Sequence, residues 1–228
     1  MITVNDETQC HLLQCSNMIE LTSTGKENIS YRYGLLIDSH SFYKNKRENV
    51  YFLNIPKNAS TFIDNSLRKI INSNKNNKII FSLIRDPYQR FLSFVTYSEL
   101  KKYEIEKLLI GLSDNNHQAV FDIMKDKEEV NFLPQTFYIK NAPTLWQPVQ
   151  YFWSMDYLNH FDIILENMGL HSLNKKHIPQ NMSSNQKLYE FTKDLITHKY
   201  NNWFLEFYHD DILLYDKVVT KTKQLLNV

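Results

Sequence analysis

The stretch Val50-Tyr51-Phe52-Leu53-Asn54-Ile55-Pro56-Lys57-Asn58-Ala59-Ser60-Thr61-Phe62-Ile63, and after it Ile79-Ile80-Phe81-Ser82-Leu83-Ile84-Arg85-Asp86-Pro87-Tyr88-Gln89-Arg90-Phe91-Leu92-Ser93, decides the fold. Residues 50–55 are a short apolar, β-rich run, long enough for a buried strand and too short for a helix. Pro56 ends it. After the loop Lys57 to Ser60 the apolar spacing turns helical, with Phe62, Ile63, Leu67, Ile70 and Ile71 on one face, so a helix is expected through about Asn72. Residues 79–84 read as a second buried strand. Asp86, Pro87 and Gln89 then suit the N-cap, N1 and N3 positions of a helix that carries Phe91, Leu92, Val95 and Leu100.

Outward from this unit the chain reads as follows. Residues 1–30 are polar and aperiodic, an arm or irregular segment. Residues 31–38 read as a strand and Asn45 to Asn49 as a charged turn. Residues 117–126, 187–205 and 210–225 read as helices. Phe161-Asp162-Ile163-Ile164-Leu165-Glu166 reads as a third core strand. The expectation is one α/β domain over 31–228, an open parallel sheet flanked by helices with a helix-rich C-terminal half. Ligands in such sheets bind outside the carboxyl ends of the strands, which places the chemistry at 55–61 and 84–93.

Composition narrows the function classes. The 228 residues are 43% hydrophobic and 22% charged with a net charge of +1, an ordinary globular balance without the charge of a nucleic-acid binder. Only four glycines are present, so neither G-x-x-x-x-G-K-[ST] nor G-x-G-x-x-G can be assembled. Cys10 and Cys15 could pair but do not make a disulfide framework, and C-x4-C without a second Cys or His pair is a poor metal signal. The N-terminal stretch lacks the marks of a signal peptide, and no run reaches the length of a membrane span. A soluble, cytoplasmic protein without a metal is expected.

At the first strand end, a short loop enters a helix N-terminus, where unpaired N–H groups and the helix dipole favour an anion. Lys57 adds a mobile charge, Ala59 permits close approach, and Ser60 and Thr61 add hydroxyls. The same residues also suit a plain capped helix with a solvated lysine. At the second strand end, Arg85 can grip a phosphate with its fork, and Arg90 and Ser93 share a helix face. The bland alternative makes Arg90 a surface charge and Ser93 a filler.

The pair IPKNASTFI and FSLIRDPYQRFLSF resembles the two binding signatures for 3′-phosphoadenosine 5′-phosphosulfate (PAPS) found in sulfotransferases, most closely the carbohydrate (Golgi-type) branch with its P-K-x-x-S-T and R-D-P-x-x-R-x-x-S strings. Weaker echoes are NFLPQTFYI, similar to that branch's H-x-R-P-Q segment, FDIILEN, similar to its strand ending in Glu, and IPQNMSS and FYHDDILLYD, similar to its C-terminal strings. The likeness covers roughly residues 48–216.

The resemblance implies a P-loop-like sheet around PAPS. Lys57, Asn58, Ala59, Ser60, Thr61 and Phe62 would hold the 5′-phosphosulfate, Arg85 and Ser93 the 3′-phosphate, and Lys57 would stabilise the leaving oxygen. The acceptor would be a carbohydrate or small-molecule hydroxyl or amine. Lys175, Lys176, Asn181, Met182 and Ser183 lie in a loop that would return to the nucleotide, or form a solvated turn. Trp146, Phe152, Trp153 and Tyr157 are mostly core candidates.

One departure matters. Asn131 stands where the branch often has His, and Asn is no base. His117 is expected to take that role, with His40, Glu99 and Glu128 as alternatives. Two other readings remain: a binding protein that keeps the nucleotide site but has a degenerate acceptor side, and a phosphotransferase, against which the missing Walker glycines count. PAPS binding without ATP binding separates the last of these.

Overall fold

The computed structural model describes residues 42–124, 131–140, 149–172 and 185–228. The expectations for 1–41, including Cys10, Cys15 and His40, and those for Glu128, Trp146 and 173–184 lie outside the described residues.

A four-stranded sheet lies at the centre, in the order β1 (Phe42–Asn45), β2 (Val50–Leu53), β4 (Ile79–Ile84), β5 (Tyr151–Ser154). β2, β4 and β5 run parallel; β1 pairs antiparallel with β2 through the turn at 46–49. The side chains alternate between two cores. Val50, Phe52, Ile79, Phe81, Leu83 and Trp153 face one, while Leu53, Ile80, Ile84 and Phe152 face the other. Burial on both faces is why β4 reads as an almost continuous apolar run: its six residues are all buried, and the one polar side chain, Ser82, donates to the Leu53 carbonyl at 2.9 Å.

Between β2 and β4 the chain forms α1 (Ser60–Leu67) and then β3 (Ile70–Asn72). Here the structure corrects the sequence reading, since Ile70 and Ile71 are in a strand rather than the helix. β3 pairs with the distant β6 (Leu170–Ser172), and Asn45 Nδ2 donates to the carbonyls of Leu67 and Ile70, pinning the exit from the helix. A partner a hundred residues away overrides a matching helical period.

After β4 come α2 (Pro87–Tyr97), α3 (Lys102–Ser113), α4 (His117–Met124) and α5 (Gln135–Lys140). Asp86 caps α2 as expected, its Oδ1 accepting from the Gln89 amide at 2.7 Å. Gly111 lets α3 and α4 approach closely: a Cβ there would stand 3.0 Å from Val120 Cγ2.

The expected strand at 161–166 is also overturned. β5 is the third parallel strand, and a 3-10 turn (Met155–His160) leads into α6 (Phe161–Asn167). Phe161, Ile164, Leu165 and Met168 are buried while Ile163 is 44% exposed. That is the i, i+3, i+4, i+7 spacing of a helix face, masked in the sequence by the apolar triplet Ile163-Ile164-Leu165. The chain ends in α7 (Gln186–His198), α8 (Asn201–Phe207) and α9 (His209–Leu226), so the single helix read over 187–205 is broken near Tyr200. The fold is mixed α/β, a mostly parallel sheet flanked by helices. Among the described residues no helix is long and apolar enough to cross a membrane.

Candidate functional site

The carboxyl ends of β2 and β4 are neighbours because those strands pair directly. The loop after β2 carries Lys57 at φ 70° and Ala59 at φ 59°, both left-handed, with Ala59 as the N-cap of α1 and no side-chain cap present. Two non-glycine residues in that region cost on the order of 1–3 kcal/mol each, a strain that only over-determined loops hold. Asn58 N donates to the Ile55 carbonyl at 3.1 Å and closes the turn.

The loop's acceptors are taken by the protein. Arg90 Nε donates to the Pro56 carbonyl at 2.9 Å, and Arg85 Nη1 to the Lys57 carbonyl at 3.0 Å. Its donors are left over: the amides of Ala59, Ser60 and Thr61 have no hydrogen bond among the described residues. Spare N–H groups at a helix start, next to a lysine, with the carbonyls drawn away, make an anion cradle.

The site residues expected from sequence divide into groups. Lys57 places its ammonium 2.8 Å from the centroid of the Tyr97 ring. Ser60 and Asn54 are joined by a short hydrogen bond in which the Ser60 hydroxyl donates, so its proton is committed within the protein. Thr61 is exposed, and Phe62 packs edge-on to Phe161 with ring centroids 5.1 Å apart. The Asn58 side chain is buried. Its Nδ2 donates to the Leu83 carbonyl at 2.7 Å and to Gln135 Oε1 at 2.6 Å, while Oδ1 has no partner among the described residues. What Asn58 can offer a ligand is therefore backbone.

Arg85 is half-buried at the end of β4. Burial foremost, then the Arg90 charge, lower its pKa, while the carboxylates of Asp86 and Asp156 act the other way. A guanidinium stays charged regardless. Apart from Nη1, its side-chain nitrogens have no hydrogen bond among the described residues, so most of the fork is open. Ser93 is half-buried on α2, with no hydrogen bond of its hydroxyl among the described residues.

His117 is the first residue of α4, and its side chain is outside the described residues. Glu99 is exposed and left-handed at φ 52°, just past α2. Asn131 is half-buried in a turn before α5.

Sequence reasoning missed the network behind the loop. Arg90 is wholly buried: besides Pro56 it donates from Nη1 to the Leu133 carbonyl at 2.7 Å, and its guanidinium carbon lies 5.5 Å from the Tyr138 ring centroid. Gln135 bonds in three directions, with Oε1 accepting from the Arg85 amide at 3.0 Å and from Asn58, and Nε2 donating to the Arg85 carbonyl at 2.8 Å. Asp211 is also fully buried. It accepts from the Gln135 amide at 2.6 Å, the Thr136 amide at 2.8 Å and the Thr136 hydroxyl at 2.9 Å, capping α5 from another helix. Burial raises its pKa, opposed first by the Arg90 charge and then by these hydrogen bonds.

One signal was available: Arg90 sits three residues after buried Pro87 and four before buried Phe94, inside the apolar stripe of α2. The network also joins three of the quoted strings in space, since Asn58, Gln135 and Asp211 form a chain of contacts. No protein-family model, no curated protein and no solved structure matches the chain.

Proposed function

We propose that the protein is a PAPS-dependent sulfotransferase built on a P-loop-like sheet, with a carbohydrate or small-molecule hydroxyl or amine as acceptor. One observation carries the reading. The two segments that resemble the PAPS signatures lie at adjacent parallel strand ends and are joined there, Arg85 Nη1 to the Lys57 carbonyl, beside three spare loop amides. The donor set suits a phosphosulfate in charge and in hydrogen-bond polarity. Ser60 is the exception, because its proton is already given to Asn54.

PAPS, when bound, supplies a sulfo group that an acceptor attacks in line as the sulfur–oxygen bond to phosphate breaks. The residues of this chain do the rest. The amides of Ala59, Ser60 and Thr61 and the Lys57 ammonium stabilise the charge that grows on the leaving oxygen, as pre-placed donors. Arg85 and Ser93 hold the 3′-phosphate and set the register. His117 accepts the proton released by the acceptor hydroxyl.

The test is calorimetry with 3′-phosphoadenosine 5′-phosphate, followed by transfer from labelled PAPS over a panel of glycans, small alcohols and amines. Lys57→Ala should lower turnover by about two to three powers of ten, as loss of one such donor does, with the fold retained. Normal turnover in that variant refutes the loop's role. Asn131 in place of a family base, together with the committed Ser60 proton, favours a second reading, a nucleotide-binding protein without transfer. Tight nucleotide binding with no transfer to any acceptor would establish it.

A further inference from the structure

Lys57 and Tyr97 meet although forty residues separate them. Tyr97 is the last residue of α2, the helix that begins at the second motif. The helix thus starts beside Arg85 and delivers an aromatic ring back to the first motif at its far end. The ammonium lies 2.8 Å from the ring centroid, over the face, where the quadrupole attracts a cation most strongly.

Core packing does not account for this ring. Tyr97 is 63% exposed, and no hydrogen bond of its hydroxyl is found among the described residues. The packing of α2 is already supplied by Phe91, Leu92, Phe94 and Val95. What the ring does contact is the charge on Lys57. A lysine side chain on a loop can spread over many rotamers, an ordering cost that an electrostatic catalyst must avoid at the moment of reaction, and a ring face under the ammonium reduces it.

We propose that Tyr97 is a positioning residue for Lys57, its ring face holding the ammonium of the loop lysine in one arrangement. The catalytic half of this proposal rests on the sulfo-transfer reading; the contact itself does not. The hydroxyl is dispensable and the π-face is required, so phenylalanine should substitute and leucine should not. Loss of a cation–π contact of this kind corresponds to about a 3- to 30-fold drop in the held arrangement.

The experiment uses the full chain carrying 13C-labelled lysine, with Lys57→Arg to assign the signal. The Lys57 ε-methylene protons should be shifted upfield by the ring current in the unaltered protein and in Tyr97→Phe, and should return to the free-lysine position in Tyr97→Leu. In parallel, turnover of labelled PAPS is measured with the best acceptor of the panel. Tyr97→Leu should lower kcat by about 3- to 30-fold with KM for PAPS within about twofold, and Tyr97→Phe should restore it.

An unshifted Lys57 signal in the unaltered protein overturns the proposal. So does a Tyr97→Leu variant with normal kcat, or a loss that phenylalanine fails to restore. If the ring-current shift is present but the unaltered protein transfers no sulfo group, the contact stands and the assigned function falls, so the two failures are told apart.

Discussion

Replacing Arg90 by methionine tests the network that shapes the loop. The side chain is fully buried, and the new one is similar in length and needs no solvation. The change removes charge-assisted bonds to the carbonyls of Pro56 and Leu133, at 2.9 and 2.7 Å. Each such bond contributes about 1.5–3 kcal/mol. It also removes the nearby charge that opposes the effect of burial on Asp211. Nη2 has no partner among the described residues, so its removal gives some of this back. From the two bonds the expected loss is about 3–5 kcal/mol, a large share of the roughly 5–15 kcal/mol that holds a domain together.

Urea unfolding followed by near-UV circular dichroism measures it, with an unchanged slope expected because the surface exposed on unfolding is the same. A surface arginine, as the bland reading of the sequence has it, would cost within about 0.5 kcal/mol. A measured loss below about 1 kcal/mol therefore refutes the buried network. Arg90→Lys keeps the charge but cannot span both carbonyls, and should fall between the two.

Arg85→Ala should weaken 3′-phosphoadenosine 5′-phosphate by about 2–5 kcal/mol in calorimetry and leave the analogue lacking the 3′-phosphate nearly untouched. Equal losses for both would reassign Arg85 to holding the Lys57 carbonyl. His117→Ala should lower turnover by about 10²–10⁴-fold with nucleotide affinity unchanged, and a normal rate would turn attention to Glu99 or Glu128. The raised pKa of Asp211 means that the folded state binds its proton more tightly than the unfolded chain does. Its stabilising contribution is then full below the unfolded value of 3.8 and is lost as pH rises through the folded-state pKa. The stability advantage of the natural protein over Asp211→Asn should accordingly shrink with rising pH; an advantage that grows would show that Arg90 and the hydrogen bonds outweigh burial.

Local chemistry made part of this molecule legible in one dimension. β4 was readable to the residue, because both of its faces are buried and its run is apolar except for Ser82. The start of α2 was readable because an Asp cap and a Pro at N1 act within one turn. The loop at Lys57 to Thr61 was legible as a strand end running into a helix start, and four glycines cannot assemble the common phosphate-binding loops.

Other features needed the tertiary structure, because they depend on partners far away along the chain. Ile70 and Ile71 leave a helical pattern to pair with β6, while 161–167 is a helix that buries Phe161, Ile164 and Leu165 on one face. Arg90 looked like a surface charge until the carbonyls of Pro56 and Leu133 closed around it. The ring that meets Lys57 is set by the length of α2, and the carboxylate that caps α5 comes from α9, seventy-five residues on from Thr136. Sequence spacing encodes which face of an element is apolar; which groups converge across elements is decided only when the cores on the two sides of the sheet pack.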